Sequence, residues 1–235
     1  TGSYNGGTGV LTLSGIASLA DYRTVLRSVT FSSTSPDPTA TSATRTLSWQ
    51  ITDADSDGLG AQASTTVTST VNITAFNDAP VLANGSTLAY TENQAASAIN
   101  AVITASDPDN TPFASATVAI TGNFAGPEDV LGFVNADMGN IAGAYDSGTG
   151  VLTLSSAGAT ATTAEWQAAL RAVTYFNASD NPSAPARIVT FVLNDGTSSS
   201  NPVVSTITVT PVNDAPTLTV PGAQTVAEDT PLSFS

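Results

Sequence analysis

An internal repeat constrains the fold of this chain more than any other feature of its sequence. Segments from the first third of the chain recur, in the same order, in its second half. The matched blocks are 4–13 with 145–154, 25–31 with 169–175, 45–53 with 187–195, and 77–80 with 213–216. The last block reads Asn-Asp-Ala-Pro in both places, and its two copies lie 136 residues apart. Four blocks in one order indicate tandem copies of a single structural unit.

The two Asn-Asp-Ala-Pro blocks are predicted to be linkers between copies. Proline interrupts strand pairing and Asn-Asp favours a turn, which are properties that a linker needs. One complete repeat is therefore expected over residues 80–215, and residues 1–79 are expected to form the later part of a preceding repeat. Residues 216–235 are expected to form the first strand of the next repeat. Because no basic and apolar leader opens the chain, we expect it to be part of a longer protein.

The apolar residues of a repeat alternate with a period of two, which predicts half-buried strands. Residues 190–193, a turn at Asn194–Gly196 and residues 203–210 are predicted to form an antiparallel hairpin. Only 19–27 and 164–171 have a helical pattern, and we interpret each as a short crossover. The fold class that follows is all-β, with tandem Ig-like Greek-key β-sandwich repeats.

Composition excludes several classes of function. The 235 residues include no cysteine and no histidine, and the five basic residues are all arginine. Disulfides, a thiol nucleophile, a lysine Schiff base and a basic patch for nucleic acid are therefore excluded. No apolar run approaches the roughly 18 residues of a membrane span, so a soluble chain is expected. The acidic residues are 15 Asp and 4 Glu, a bias that favours calcium ligands in loops over a merely solvated surface.

Acidic and asparagine motifs occupy fixed places in the repeat. Asn77-Asp78-Ala79-Pro80 precedes the first strand, Glu92-Asn93 follows it, and Asp107-Pro108-Asp109 follows the second strand. Asn213–Pro216 and Glu228-Asp229 repeat the first two motifs. With these motifs, essentially the whole chain resembles the cadherin-like tandem repeats of giant RTX-type bacterial surface adhesins, which are exported by type I secretion. The acidic triplet that cadherins carry before the sixth strand has no clear counterpart here.

This resemblance implies a cadherin-like sandwich that holds Ca²⁺ between consecutive repeats. The residues implied as ligands are Asn77, Asp78, Glu92, Asp107, Asp109, Asn213, Asp214 and Glu228. If the strands alternate in direction, the Asp107 turn and the turn at Asp195 both reach the end that meets the incoming linker, and Glu92 lies at the opposite end. Carboxylates that converge at a joint repel one another until a divalent cation binds, and calcium suits a mixture of carboxylate and carbonyl oxygens.

A separate candidate is the segment Asp53-Ala-Asp-Ser-Asp-Gly58, in which Asp53, Asp55 and Asp57 alternate before a glycine. The spacing resembles the first half of a calcium-binding loop, although no bidentate glutamate follows it. The segment replaces the Asn194–Gly196 turn of the complete repeat, so we interpret it as an enlarged hairpin tip. Two interpretations stay open, a metal-binding tip and a solvated turn.

Two other features have a functional and a structural interpretation. Glu128-Asp129 resembles the acid pair of a glycosidase, but neighbouring side chains in a strand point to opposite faces, so acidic turn residues are favoured. Trp49 and Trp166 are each expected to pack in a core rather than to form a sugar-binding platform.

The resulting hypothesis is a spacer without enzymatic activity on a bacterial cell surface. Stacked, calcium-rigidified repeats would hold a binding tip away from the cell during adhesion or biofilm formation, with neighbouring repeats of the same chain as partners. Two rival hypotheses remain. The repeats themselves bind a glycan or associate into a filament, or they are an accessory region of a large extracellular enzyme.

Overall fold

A computed structural model describes residues 1–109 and 111–233 of the chain. The chain forms two compact units, Thr1–Asp78 and Ala79–Ser235, which divide within the 77–80 block. Strands dominate both units, which confirms the all-β fold class. Among the described residues, no helix combines the length and the apolar character that crossing a bilayer requires.

The first unit consists of two hairpins and one helix. Strands β1 (Gly2–Asn5) and β2 (Val10–Leu13) pair antiparallel and are followed by α1 (Leu19–Arg27). Strands β3 (Thr44–Trp49) and β4 (Val67–Asn72) form the second antiparallel pair. The structure describes every residue of this unit, and none of them is buried. The unit therefore has strand and helix geometry without a closed core.

The second unit contains eleven strands and one α-helix within its described residues. In chain order the strands are β5 (Val81–Ala83), β6 (Thr87–Thr91), β7 (Ser97–Ala98), β8 (Thr104–Ser106), β9 (Ser115–Gly122), β10 (Asp129–Gly132), β11 (Ile141–Asp146), β12 (Val151–Ser156), β13 (Thr174–Asn177), β14 (Arg187–Asn194) and β15 (Val203–Thr210). A 3₁₀ turn covers Ala157–Ala159, and α2 spans Thr163–Arg171. A seven-stranded scheme is therefore too simple for this repeat, because several short strands flank the longer ones.

Two sheets enclose the core of the second unit. The larger sheet has the strand order β11-β12-β9-β14-β15-β6 and is antiparallel except for the β15–β6 pair. The smaller sheet has the order β10-β13-β7, and β5 pairs separately with β8. Inward side chains of both sheets, such as Phe191 and Tyr175, form one buried cluster with Trp166 of α2. Full burial of one large apolar side chain contributes about 1.5–3 kcal/mol, so this cluster dominates the stability of the unit.

Capping boxes explain where the two helices begin. Thr162 Oγ1 accepts a hydrogen bond from the Glu165 N–H, and the Glu165 carboxylate accepts one from the Thr162 N–H. Ser18 and Asp21 make the same pair of bonds in the first unit. Each box satisfies backbone donors that a helix start leaves unpaired, so both helices begin within one residue of the prediction. Through these bonds, the Thr162 N–H lowers the pKa of Glu165 and the Ser18 hydroxyl lowers the pKa of Asp21.

The predicted hairpin of the complete repeat is confirmed. Strands β14 and β15 pair antiparallel, with Phe191 opposite Val203. Residues 211–233 carry no strand or helix. The described part of the expected first strand of a further repeat, residues 216–233, therefore forms no strand, and Phe234 and Ser235 lie outside the described residues. The assignment of 216–235 to a further repeat stays a prediction.

Candidate metal centres

Glu92 lies at the end of the second unit where β6 and β15 finish together. Thr91 and Thr210, the last residues of these strands, are paired. The Glu92 N–H donates to the Thr210 carbonyl oxygen at 2.9 Å, and the Val212 N–H donates to Glu92 Oε2 at 2.7 Å. Glu92 is 4% exposed, and its other oxygen, Oε1, is buried without a hydrogen-bond donor. One carboxylate oxygen is thus held, and the other can accept a further ligand.

Asp107 directly follows β8, whose last residue, Ser106, pairs with Val81 at the start of β5. Asp107 Oδ1 accepts hydrogen bonds from the N–H groups of Asp109 at 3.1 Å and Thr111 at 3.2 Å. The second carboxylate oxygen, Oδ2, is buried without a hydrogen-bond donor. Asp107 therefore repeats the pattern of Glu92, in which one oxygen is held by backbone and the other is not.

The Asp195 turn lies at the same end of the unit as Asp107. The Ala114 N–H donates to the Asn194 carbonyl oxygen at 2.8 Å, which places the start of β9 beside the end of β14. Strand β9 begins only a few residues after the Asp107 turn. Asp195 is 6% exposed, and its Oδ1 accepts two backbone N–H groups at 2.6 Å. The strand directions thus bring the Asp107 and Asp195 turns to one end of the unit and Glu92 to the other.

Burial raises the pKa of Asp107 to about 6, and the neighbouring carboxyl of Asp109 adds to this rise. The backbone N–H groups of Thr111 and Asp109 act in the opposite direction but do not compensate. A carboxyl that loses water and gains too few donors is costly to ionise. A divalent cation at Oδ2 would favour the ionised form at neutral pH.

The acidic residues alone do not assemble a complete metal site. Within residues 1–109 and 111–233, no three acidic side chains lie close enough together to hold an ion. Calcium takes six to eight oxygen ligands, so carbonyl groups, linker residues or water would have to complete the set at each end. The fit is therefore partial, because each end offers a carboxylate oxygen of suitable chemistry but only part of a coordination shell.

Asn77 and Asp78 are exposed, and so are their counterparts Asn213 and Asp214. Asn77 donates from Nδ2 to the Asp78 carbonyl oxygen at 3.0 Å, and Asn213 donates to the Asp214 carbonyl oxygen at 3.2 Å. The two blocks thus adopt the same local arrangement. Metal binding stays a prediction for these four residues and for Glu228, which is exposed.

The Asp53–Gly58 segment lies at the tip of the β3–β4 hairpin, and its three aspartates are exposed. Asp53 Oδ1 accepts from the Gln62 N–H at 2.7 Å, Asp55 Oδ1 from the Gly60 N–H at 2.8 Å, and Asp57 Oδ1 from the Leu59 N–H at 3.1 Å. One oxygen of each carboxylate thus stabilises the turn itself. Both interpretations of the tip are compatible with this geometry, and metal binding there stays a prediction.

The interpretation of Glu128-Asp129 as acidic turn residues is wrong for Asp129. This residue opens β10, is 1% exposed, and forms an ion pair with Arg187, whose Nε lies 3.0 Å from Asp129 Oδ2. Arg187 opens β14 and is 0% exposed. A signal for this pair exists in the sequence, because Arg187 shares the inward register of Val189 and Phe191. An arginine at a buried strand position requires an acidic partner.

The two tryptophans occupy different environments. Trp166 is 0% exposed and its Nε1 donates to the Phe113 carbonyl oxygen at 3.1 Å, which confirms its place in the core. Trp49 is half-buried in β3 and its Nε1 donates to Ser69 Oγ at 3.0 Å. The core prediction therefore holds for Trp166 and is wrong for Trp49, which lies in a unit where no residue is buried.

Among known proteins, halomucin is similar to this chain in sequence. The chain is 37% identical over 134 residues to halomucin of Haloquadratum walsbyi, a match that covers 55% of this chain and 1% of halomucin. No protein-family profile matches the chain. Solved structures similar to it include protocadherin gamma B2 extracellular cadherin domains 1–5, with a TM-score of 0.37, 17% identity, and coverage of 73% of this chain and 27% of that chain. Another is human CDH23 EC21-23, with a TM-score of 0.35, 15% identity, and coverage of 72% and 47%. Because TM-scores below 0.5 do not establish a common fold, the all-β assignment rests on the strands themselves.

Proposed function

We propose that the chain is a segment of calcium-rigidified extender repeats from a secreted bacterial surface adhesin. One observation carries the proposal. Glu92 Oε1 and Asp107 Oδ2 are buried carboxylate oxygens without hydrogen-bond donors, and they lie at opposite ends of the same repeat. A module that binds cations between itself and each neighbour needs unpaired acceptors at both of its ends.

A bound cation would offset the cost of these two oxygens. A buried polar group without a partner costs about 1–3 kcal/mol, and more when it is charged. The formal net charge of −14 also draws cations to the chain. Calcium is favoured over magnesium because it accepts a flexible set of carboxylate, carbonyl and water ligands, whereas magnesium requires a near-ideal octahedron. Extracellular modules bind calcium at roughly 10⁻⁴ to 10⁻³ M, so export from the cell would itself load the joints.

The wider biological role rests on several weaker supports. The internal repeat and the similarity to a small part of halomucin support a place in a long array. The motifs around Glu92 and Asp107 resemble those of cadherin-like adhesin repeats, which supports an extracellular role in surface attachment or biofilm formation. A non-enzymatic role is supported by the lack of cysteine, histidine and lysine, which leaves carboxylates, hydroxyls and five arginines as the groups that could take part in catalysis.

Thermal unfolding of the 235-residue chain, in chelator and in calcium, tests the proposal. With a Kd near 10⁻⁴ M, 1 mM calcium should stabilise the folded chain by about 1.4 kcal/mol for each site. Glu92→Gln and Asp107→Asn should each remove the calcium-dependent stabilisation that comes from one site. Asp180→Asn, a change at an exposed position, is the matched control and should remove none. Equal midpoints with and without calcium would contradict the proposal.

Small-angle X-ray scattering tests the rigidifying role separately. The same chain should give a narrower distribution of interatomic distances in millimolar calcium than in chelator, because cations replace carboxylate repulsion with attraction at the joints. Magnesium at the same concentration should have a smaller effect. Calcium binding with unchanged scattering profiles would leave a metal-binding module that is not a stiffener.

A further inference from the structure

The Glu92 end of the second unit has a buried polar network directly beneath it. Asp129 and Arg187 open β10 and β14, and Arg187 Nε lies 3.1 Å from Asp129 Oδ1 and 3.0 Å from Oδ2. The guanidinium also donates to the carbonyl oxygens of Ser183 and Pro185. Because β10 belongs to the smaller sheet and β14 to the larger, this ion pair joins the two sheets.

The same carboxylate collects donors from β13. The Tyr175 hydroxyl donates to Asp129 Oδ1 at 2.5 Å, and Asn177 Nδ2 donates to the same oxygen at 2.9 Å. Tyr175 and Asn177 are 0% and 2% exposed. Burial and the hydrogen bond to Asp129 both raise the pKa of Tyr175, so its hydroxyl stays protonated and acts as a donor. Asp129 is therefore a saturated acceptor at the centre of the network.

Tyr90 connects this network to the turn that carries Glu92. The Tyr90 hydroxyl accepts from the Asn177 N–H at 3.3 Å and donates to the Gln94 carbonyl oxygen. Its ring packs edge-on against Tyr175, with centroids 5.0 Å apart and planes at 85°. Tyr90 is 0% exposed and lies two residues before Glu92 on the inward register of β6.

We propose that Tyr90, anchored through Asn177 to the Asp129–Arg187 ion pair, is a positioning residue that holds the Glu92 carboxylate in place for its cation. The inference rests on the proposed calcium function and adds residues that do not contact the ion. Glu92 is fixed on two sides by backbone, at the Thr210 carbonyl and the Val212 N–H. The Tyr90 hydroxyl fixes the far side of its turn, at Gln94.

The turn at Glu228 has the same backbone conformation as the turn at Glu92, and comparing the two shows what the turn needs in order to form. Asp229 adopts φ 63°, matching φ 62° at Asn93, and the Thr230 N–H donates to the Ala227 carbonyl oxygen. The Glu92 turn has the equivalent bond from Gln94 to Thr91.

In the Glu228 segment, however, Val226 occupies the position of Tyr90. The turn therefore forms without the tyrosine hydroxyl. What the hydroxyl adds at Glu92 is a link from the turn to the core, which pre-organises an oxygen ligand and so strengthens binding.

Tyr90→Phe removes this link while keeping the aromatic contact with Tyr175. Calcium titrations of the full chain, followed by the amide resonances of Asn93 and Val212, report the Glu92 end. The Thr111 amide, which donates to Asp107 and Asp109, reports the other end. Tyr90→Phe should weaken binding at the Glu92 end about five-fold, as expected for the loss of one hydrogen bond. Binding at the Asp107 end should not change.

Tyr145→Phe is the matched control, because the Tyr145 hydroxyl donates to the Asp129 carbonyl oxygen at 2.8 Å but does not reach the Glu92 turn. It should leave both affinities unchanged. Equal affinities for Tyr90→Phe and the native chain at the Glu92 end would overturn the positioning role and leave the calcium function intact.

Amide hydrogen exchange in chelator makes the test independent of calcium. Tyr90→Phe should raise exchange at Gln94 and Val212, and Tyr145→Phe should not. If the amide resonances of the native chain did not shift when calcium was added, the proposed function would be contradicted. If that happened, amide exchange in chelator would still test the structural role of Tyr90. Unchanged exchange in Tyr90→Phe would overturn the link between Tyr90 and the Glu92 turn, and raised exchange would show that Tyr90 anchors this turn.

Discussion

The two units share sequence blocks and local elements, but only the second has a core. The β1–β2 hairpin matches β11–β12, α1 matches α2, and the β3–β4 hairpin matches β14–β15. No residue of 1–78 is buried, whereas the inward residues of the second unit are almost all inaccessible. Residues 1–78 contain no counterpart of β5 to β10. The comparison teaches that local sequence forms these hairpins and capped helices, and that the remaining strands are needed to bury them.

One matched segment shows where local sequence stops being sufficient. Thr174–Asn177 forms β13 between β10 and β7. The equivalent residues 30–33 in the first unit carry no strand. Hairpin strands have their partner a few residues away in sequence, but a strand with remote partners forms only when those partners are present.

Replacing the residue at the centre of the matched helices should give the largest difference between the units. Trp166 is 0% exposed, so Trp166→Ala should lower the free energy of unfolding of the second unit by about 3–5 kcal/mol. Tyr22 holds the same helix position in the first unit and is only half-buried. Tyr22→Ala should leave the main urea transition, followed by far-UV circular dichroism, where it is. Similar losses for both variants would mean that the first unit also has a core.

Replacing the matched arginines, Arg187 and Arg45, should give the next largest difference in the free energy of unfolding between the two units. Arg187→Met leaves the buried Asp129 carboxylate without its ion pair and should cost about 3 kcal/mol in urea unfolding. Arg45, its counterpart, donates to the carbonyl oxygens of Pro38 and Ser42 and forms no ion pair among the residues that the structure describes. Arg45→Met should cost less than about 1 kcal/mol.

A double variant separates the ion pair from the packing of the arginine stem. Adding Asp129→Asn to Arg187→Met removes the stranded charge and should restore part of the stability. If the double variant is no more stable than Arg187→Met alone, the loss comes from packing and not from the unpaired carboxylate.

Much of this architecture is predictable because its signals are local. Alternation with a period of two predicts the β14–β15 hairpin, and the helical patterns at 19–27 and 164–171 locate both helices. Strand direction alone also indicates that Glu92 and Asp107 belong to opposite ends of the repeat. Each of these inferences needs only neighbouring residues and the direction of the chain.

The buried network is not predictable in the same way, because its members are distant in sequence. Asp129, Tyr175 and Arg187 meet only when three strands from two sheets pack together. Asp129 follows a Gly-Pro pair, which suggests a solvated turn to any local analysis. Arg187 in an inward strand register is the sole local hint, and it does not identify the acidic partner. The buried, unpaired oxygens of Glu92 and Asp107 likewise require the packed structure.

The Asp107 end of the second unit should respond to pH in chelator. The pKa of Asp107 is raised to about 6 in the folded chain, against an ordinary value of 3.8. The unfolded chain therefore releases this proton first as pH rises. The contribution of Asp107 to stability should fall between about pH 4 and 6 and stay constant above that range. Because solvent screens the partly exposed side chain, we expect the free energy of unfolding to fall by about 1–2 kcal/mol over this pH range.

The difference in unfolding free energy between the native chain and Asp107→Asn, measured from pH 4 to 7, isolates this effect from other carboxyls. Saturating calcium should abolish the decline, because the cation stabilises the ionised carboxylate. A difference that is flat with pH would show that Asp107 is well solvated, and would weaken the case for a cation at its buried oxygen.

The smallest expected effect on the free energy of unfolding comes from the glycines of two matched turns, Asn194–Gly196 in the second unit and the Asp53–Gly58 tip in the first. Gly196 follows Asp195 in the tight turn of the second unit and adopts φ +97°, where a side chain is strained even though the space around it is open enough for one. Gly196→Ala should therefore lower the free energy of unfolding by about 1 kcal/mol. Gly222→Ala is the matched control, because an added Cβ there meets nothing within 4 Å and the backbone is unstrained.

Gly58, at φ +73° in the enlarged tip, carries the same backbone strain but belongs to a unit without a core. Gly58→Ala should loosen only the tip, seen as faster amide exchange at Gly60 and Gln62. If Gly58→Ala shifted the main unfolding transition as much as Gly196→Ala, the tip would be part of the cooperative structure.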